Sequence, residues 1–173
     1  KNYDDISALV YYHKKLLTES IRITQDIFPE IDNIVQSLLN NIRLDSEIEF
    51  FITSDNTIPN AYCIPVSKKK AFIVINSRLI ELLTNEELKF IIGHEIGHHY
   101  YEHASEPITQ DINDDLKYYL LDKQRSMELS CDRFGLLSIR SFDVAAKAII
   151  KMVSGLGEQH ITNNFKAYLN QIK

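Results

Sequence analysis

The five residues His94-Glu95-Ile96-Gly97-His98 constrain the fold of this chain more than any other stretch. Residues four apart on a helix lie one turn apart on the same face, so the two imidazoles can bind one metal ion together. Because Glu95 follows the first histidine directly, it is better placed to contact a water held by the metal than to be a ligand itself. The pattern therefore predicts a helix with two zinc ligands, His94 and His98, and one general base, Glu95.

The sequence around this motif favours a helix over residues 84–103. Thr84 and Glu87 have the spacing of a capping box, in which each side chain binds the other residue's backbone amide. The apolar residues that follow recur at steps of three and four, as in a helix that buries one face. Gly93 and Gly97 are poor helix formers, which predicts a close approach by another backbone or by the substrate. Two glycines tolerated in a well-packed helix are the alternative.

A catalytic zinc site needs a third protein ligand, commonly a glutamate when HExxH supplies the first two. Glu128 and Asp132 are four residues apart in a predicted helix over 114–137, so they share one helical face. This face can offer Glu128 to the metal and Asp132 to the free ring nitrogen of a ligand histidine, which fixes the tautomer of that histidine. The alternative is a pair of solvated surface acids.

Three motifs in this order resemble a known group of enzymes. The His94–His98 motif followed by Glu128-Leu129-Ser130-Cys131-Asp132 is similar to the gluzincins, zinc peptidases whose third ligand is a glutamate in a Glu-x-x-x-Asp pattern. More narrowly, residues 55–155 resemble the HtpX and CAAX-prenyl-protease family of metalloendopeptidases, as a soluble, minigluzincin-like member. The strand motif of that family stands here as Asn60-Ala61-Tyr62-Cys63-Ile64-Pro65, ahead of a second strand at 72–76.

This resemblance implies one zinc ion per chain, bound by His94, His98 and Glu128. It implies that Glu95 acts as general base and then as general acid. It also implies that Asp132 orients His94.

The family further implies where a substrate binds. The residues expected to line the cleft, on an edge strand that pairs with a substrate peptide, are Asn60, Ala61 and Tyr62. Gluzincins often stabilise the oxyanion with a histidine or tyrosine from the C-terminal half. His160 is the only histidine beyond the Glu128 motif and is our candidate, with Tyr118 or Tyr119 as the alternative.

These residues predict a zinc-dependent metalloendopeptidase that hydrolyses peptide bonds of extended or unfolded polypeptides. One alternative is a zinc-binding regulatory or interaction domain. Retention of Glu95 argues against it, because a structural zinc site has no use for a base. Another alternative is a latent peptidase whose terminal helices occupy the cleft.

The composition fits a soluble globular enzyme. A net charge of −5 argues against a nucleic-acid partner, and 45% hydrophobic with 25% charged residues is ordinary for a globular domain. The apolar runs are far shorter than the roughly twenty residues that cross a bilayer, so we expect no membrane span. No signal-like segment opens the chain, which favours the cytoplasm without identifying the compartment. The oligomeric state is not indicated.

The periodicity predicts an α+β fold, mostly helical and zincin-like, with a small three-stranded sheet that flanks the active-site helix. Helices are predicted over 3–20, 29–40, 84–103, 114–137, 142–153 and 158–171, and strands over 47–53, 61–66 and 71–76. The last two strands form a hairpin. We expect one domain over 1–173, comprising a helical appendage at 1–40, a catalytic core at 41–157 and a C-terminal helix at 158–173. The appendage packs on the core or covers the cleft.

The remaining cysteines and histidines give weaker indications. Cys63 and Cys131 form a disulfide only if their elements come within bridging distance; otherwise one of them caps the zinc, or both are small buried apolar residues. His99 and His103 follow the motif off its ligand face, which is typical of surface or helix-end residues rather than ligands.

Overall fold

The computed structural model describes residues 3–54, 58–103 and 113–162, together with residues 167 and 170. The α-helices of this part are α1 (Tyr3–Glu19), α2 (Pro29–Ile42), α3 (Ser77–Leu82), α4 (Asn85–Tyr100), α5 (Asp114–Ile139) and α6 (Phe142–Ser154). The strands are β1 (Ile21–Arg22), β2 (Glu47–Thr53), β3 (Ala61–Ser67) and β4 (Lys70–Asn76), and a 3-10 turn spans Glu158–His160. The predicted α+β class with mainly helical content is confirmed.

The sheet has four strands in the order β1-β2-β4-β3, so the prediction of three strands is wrong. The additional strand, β1, has only two residues, which pair with Phe51 and Ile52 of β2. Two residues are too few to show the alternation that marks a strand in a sequence. β3 and β4 form the predicted antiparallel hairpin, whereas β2 runs parallel to β4.

The remaining predictions differ mainly at the ends of elements. α3, a six-residue helix between β4 and α4, was not predicted. The predicted active-site helix extended to residue 103, but α4 ends at Tyr100. Of the helix predicted over 158–171, the first residues form the 3-10 turn, and most of the rest lies outside the described residues.

β4 is buried on both faces, which organises the core into two layers. On one face Ile73 and Ile75 pack with α4, α6 and α2 in the larger apolar cluster. On the other face Phe72 and Val74 pack with Leu16 of α1. Helix α1 therefore covers the face of the sheet opposite α4, while α2 belongs to the same core as α4.

Helices α4 and α5 cross closely because glycines occupy their contact. A methyl group added at Gly97 would lie 3.1 Å from Cα of Cys131, and one added at Gly93 would lie 3.1 Å from Cα of Gly135. The prediction that another backbone comes close to Gly93 and Gly97 is thereby confirmed, and the neighbouring backbone is that of α5. Since this contact includes Cys131, it brings the neighbouring acids of α5 to the histidines of α4.

Gly135→Ala tests the importance of this close contact. The added methyl group would lie 2.7 Å from the carbonyl oxygen of Phe90, an atom of the α4 backbone. Alanine favours a helix by about 1 kcal/mol over glycine, but we expect the forced separation of the two helices to outweigh this gain. The predicted result is a net loss of about 1–3 kcal/mol in the free energy of unfolding, measured by urea denaturation.

Ser126→Ala, at an exposed position of α5, is the control and should leave the free energy of unfolding within about 0.5 kcal/mol of the parent. A Gly135→Ala protein as stable as the parent would contradict the prediction.

Candidate active site

The N-terminus of α4 is fixed by the predicted capping box. The Glu87 carboxylate accepts from the Thr84 amide at 2.8 Å, and the Thr84 hydroxyl accepts from the Glu87 amide at 3.4 Å. The same carboxylate oxygen accepts from Lys151 Nζ of α6 at 2.8 Å. Helix α4 therefore starts from a defined position, two turns before His94.

His94 and His98 lie one turn apart, and their Nε2 atoms face each other at 3.2 Å. Glu128 of α5 faces both rings, with its carboxylate oxygens 3.3 Å from His94 Nε2 and 3.7 Å from His98 Nε2. A tetrahedral zinc ion with bonds of about 2.0–2.2 Å separates its ligand atoms by roughly 3.3–3.6 Å. The three side chains thus have the donor chemistry and nearly the spacing of three zinc ligands.

Asp132 orients the first of these rings. Its Oδ1 lies 2.9 Å from His94 Nδ1, so a proton on Nδ1 is donated to the carboxylate and the lone pair of Nε2 faces Glu128. Burial opposes protonation of His94, but the hydrogen bond to Asp132 and the nearby carboxylates outweigh it and raise its pKa. Burial and the neighbouring His94 lower the pKa of His98. The lowered pKa favours a neutral His98 ring that can bind a cation, whereas at His94 Nε2 a cation would have to displace the proton that the carboxylates favour.

Glu95 is 8% exposed and lies beside the histidine pair. Burial raises the pKa of Glu95 to about 7, against the opposing effects of His94 and of the hydrogen bond that its carboxylate accepts from the Cys63 amide. A carboxylate with a pKa near neutrality can both take up and release a proton. The Cys63 contact also ties the base to strand β3.

A cleft of about 600 Å³ lies over these residues. Strand β3 forms one side, and α4, α5 and α6 form the rest. The lining residues are Asn60, Ala61, Tyr62, Cys63, Pro65, Phe90, Ile91, His94, Glu95, His98, His103, Glu128, Asp132, Ile149, Met152 and Val153. All of the predicted metal-site, base and substrate-strand residues therefore line the same cleft, although their roles stay predictions.

Strand β3 presents its outer edge to the cleft. The Asn60 carbonyl accepts from the Asn76 amide at 3.0 Å, so the main chain of Asn60 faces β4. Because main-chain groups alternate between the two sides of a strand in an antiparallel ladder, those of Ala61 and Cys63 face away from β4. The Cys63 amide reaches Glu95 from this side. The carbonyls of Ala61 and Cys63 and the amide of Ala61 are therefore placed to pair with an extended chain.

The oxyanion candidates do not line the cleft. His160 is exposed on the 3-10 turn, and Tyr118 and Tyr119 are 71% and 63% exposed on α5. The structure therefore adds no support for His160 as the oxyanion residue, and that role stays a prediction.

His103 lines the cleft, which sequence reasoning missed. After α4 ends, Glu102 adopts a left-handed backbone conformation with φ of 53°, and the His103 amide donates to the His98 carbonyl at 3.0 Å. This turn brings the His103 ring to 5.5 Å from the His98 ring. A helix continued to residue 103 would have placed it elsewhere. His99, in contrast, is 4% exposed and is not among the residues that line the cleft.

Cys63 and Cys131 are free thiols, so the disulfide alternative is not realised. Burial raises the pKa of each thiol to about 12. The Cys131 sulfur and one ring nitrogen each of His94 and His98 lie within 4.8 Å of one another, which makes Cys131 a rival to Glu128 as third ligand. Glu128 is the better candidate, because its oxygens face both Nε2 atoms at nearly the spacing of zinc ligands, whereas the raised pKa of the Cys131 thiol opposes the thiolate that would bind a metal.

Several known proteins resemble this chain in sequence. The sequence profile of Peptidase family M48 matches residues 26–154. The chain is 32% identical over 145 residues to the plastoglobule-localized metallopeptidase 48, chloroplastic, of Arabidopsis thaliana, which covers 75% of this chain and 42% of that protein. It is 33% identical over 93 residues to a protease HtpX homolog of Thermodesulfovibrio yellowstonii, covering 53% of this chain and 32% of that protein.

The chain spans less than half the length of these curated relatives. Among residues 3–54, 58–103 and 113–162, no helix combines the length and the apolar character that crossing a bilayer requires.

Proposed function

The chain belongs to peptidase family M48, and from this membership we propose that it is a zinc-dependent metalloendopeptidase acting on extended or unfolded polypeptides. The observation that carries the proposal is the triangle of His94, His98 and Glu128 with the buried carboxylate of Glu95 beside it. His94, His98 and Glu128 would hold one zinc ion, which would supply Lewis-acid chemistry for the scissile carbonyl and for the attacking water.

In the proposed reaction Glu95 accepts the proton of the attacking water and then delivers it to the leaving amine. The hydrogen bond from the Cys63 amide holds its carboxylate in place during both transfers. Asp132 keeps the proton of His94 on Nδ1, so that Nε2 remains available to the metal. Each role uses a contact between α4 and a neighbouring element.

The outer edge of β3 supports an extended substrate. We propose that Asn60, Ala61 and Tyr62 contribute to binding, with the main-chain groups of Ala61 pairing with the substrate backbone. Such pairing depends on the substrate's backbone more than on its side chains, so it suits polypeptides of varied sequence. The apolar side chains of Ile149, Met152 and Val153 at the α6 end of the cleft favour substrates that expose apolar residues.

A regulatory zinc domain is the less favoured function. A structural zinc site usually closes its fourth position with another protein ligand, whereas this site opens on a cleft and keeps a buried base. Helix α1 is badly placed to block the cleft of a latent enzyme, since it packs on the face of the sheet opposite α4.

We propose that residues 1–173 act as one domain, because α1 and α2 contribute buried side chains to the two faces of the same sheet.

Removal of the metal tests the proposed function. Zinc-loaded protein should degrade unfolded casein, lose that activity on treatment with a chelator, and regain it when stoichiometric zinc is added back. Gel electrophoresis and mass spectrometry of the fragments, with metal content measured in parallel, report the result. Zinc-loaded protein that cleaves neither casein nor a mixed peptide library would contradict the proposal.

A further inference from the structure

His103 has a defined place in the cleft but no part in the proposed metal triangle. Its ring stacks on Tyr101 at 5.4 Å, with an angle of 23° between the ring planes, and meets His98 edge to face at 5.5 Å. These contacts on two sides restrict the orientation of the imidazole. The ring is therefore held at the cleft by packing as well as by the turn that follows α4.

Cys131 lies within hydrogen-bonding distance of His103. Its sulfur lies 3.4 Å from His103 Nδ1, and its side chain is fully buried between α4 and α5. Sulfur and Nδ1 can share a hydrogen bond in either direction, and the arrangement with the S–H group as donor requires an unprotonated Nδ1. The proton of His103 then lies on Nε2, the nitrogen that faces away from Cys131.

The position of His103 marks the point where the cleft continues into a smaller depression. This depression, of about 200 Å³, is lined by Pro65, Val66, Ser67, Lys68, His99, Glu102 and His103. Pro65 and His103 border both cavities. A chain that lies along β3 and extends from the cleft into this depression passes beside these two residues.

Beside Pro65, strand β3 offers few main-chain groups for pairing with a bound peptide. Pro65 has no N–H group, and the register of the β3–β4 hairpin shifts between Pro65 and Ser67. An extended chain that pairs with Ala61 and Cys63 therefore loses its strand partner where it reaches Pro65. His103 lines both cavities at this point, and Nε2 is the ring nitrogen that Cys131 does not contact.

We propose that His103 is a substrate-binding residue, which donates a hydrogen bond from Nε2 to a main-chain carbonyl of the peptide as it passes from the cleft toward the smaller depression. Cys131 is its positioning residue, since it fixes the tautomer through Nδ1. The inference rests on the proposed peptidase function and names a contact beyond the metal site. It also gives Cys131 a role that does not require it to bind zinc.

The test measures peptide binding separately from catalysis. In zinc-loaded protein carrying Glu95→Gln, the affinity for fluorescent peptides is measured by anisotropy, with peptides shortened stepwise from either end. His103→Leu should weaken binding of the longest peptide about two- to tenfold, the loss expected for one hydrogen bond. The effect should vanish once shortening from one end removes the residue opposite His103. His103→Gln, which keeps an N–H donor, should restore most of the affinity.

Cys131 is tested in the same assay. Cys131→Ser keeps a hydroxyl donor for Nδ1 and should bind like the parent, whereas Cys131→Ala should lose part of the affinity that His103→Leu loses. A purely structural role for Cys131 would give the same loss with both variants and would overturn its assignment as a positioning residue.

Three outcomes overturn the inference while leaving the peptidase proposal intact. These are unchanged affinity of His103→Leu for every peptide, a loss that is the same for long and short peptides, and loss of zinc from His103→Leu. Failure of the proposed function is recognised differently, because the protein with Glu95 intact would then hold zinc without cleaving any peptide.

Discussion

Replacing Glu95 with glutamine will leave zinc bound and lower kcat/KM for peptide cleavage by about two to four orders of magnitude. The amide is nearly the same size as the carboxylate, and its oxygen can still accept from the Cys63 amide. It cannot take a proton from water, so the contribution of general-base catalysis is lost while the ligand triangle remains. Metal content is measured by mass spectrometry and cleavage with a quenched fluorescent peptide.

Glu86→Gln is the matched control for this substitution. Glu86 lies in the first turn of the same helix, is exposed, and pairs with Lys89 at 2.6 Å outside the cleft. It should keep both zinc and full activity. If Glu95→Gln cleaved peptides at a rate close to that of Glu86→Gln, another group would have to be the base.

Replacing Lys151 with methionine will lower the free energy of unfolding by about 3–5 kcal/mol. Lys151 is 1% exposed and pairs at 2.8 Å with Glu87, itself 2% exposed, and at 2.8 Å with Glu158. The substitution leaves the Glu87 carboxylate buried without its cation, at the residue that caps α4. The loss is measured by chemical denaturation of the metal-free protein, so that zinc affinity does not enter.

Lys147→Met provides the control, because it removes a second lysine that pairs with Glu158, at 2.8 Å, outside the buried core. We expect a loss of no more than about 1 kcal/mol. Combining Glu87→Gln with Lys151→Met should recover part of the loss, since the unpaired buried charge is then absent. Equal losses for Lys147→Met and Lys151→Met would show that the buried pair has no special importance.

Much of the candidate site follows from local sequence patterns. Helical spacing alone places His94 beside His98, and Glu128 beside Asp132, and the capping box of Thr84 and Glu87 was readable in the same way. Gly93 and Gly97 indicated only a close approach by another backbone or by the substrate, and the structure adds that the neighbouring backbone is that of α5. These features depend on steps of three or four residues, which a sequence displays directly.

Features that depend on distant or irregular contacts could not be predicted in this way. The parallel pairing of β2 with β4 joins segments separated by other elements, and no local pattern specifies it. His103 reaches the cleft because Glu102 adopts a left-handed conformation, which is uncommon for glutamate. Lys151 has the sequence appearance of a surface lysine, and only the tertiary fold brings Glu87 and Glu158 to it.

The central claim is that His94, His98 and Glu128 bind one zinc ion and leave a coordination position open. X-ray absorption spectroscopy at the zinc edge of the zinc-loaded protein tests it most directly. We expect one zinc per chain, two imidazole nitrogens, and oxygen ligands at about 2.0–2.2 Å, with no sulfur in the coordination shell. A zinc–sulfur distance of about 2.3 Å would place Cys131 where we place Glu128, and would contradict the account.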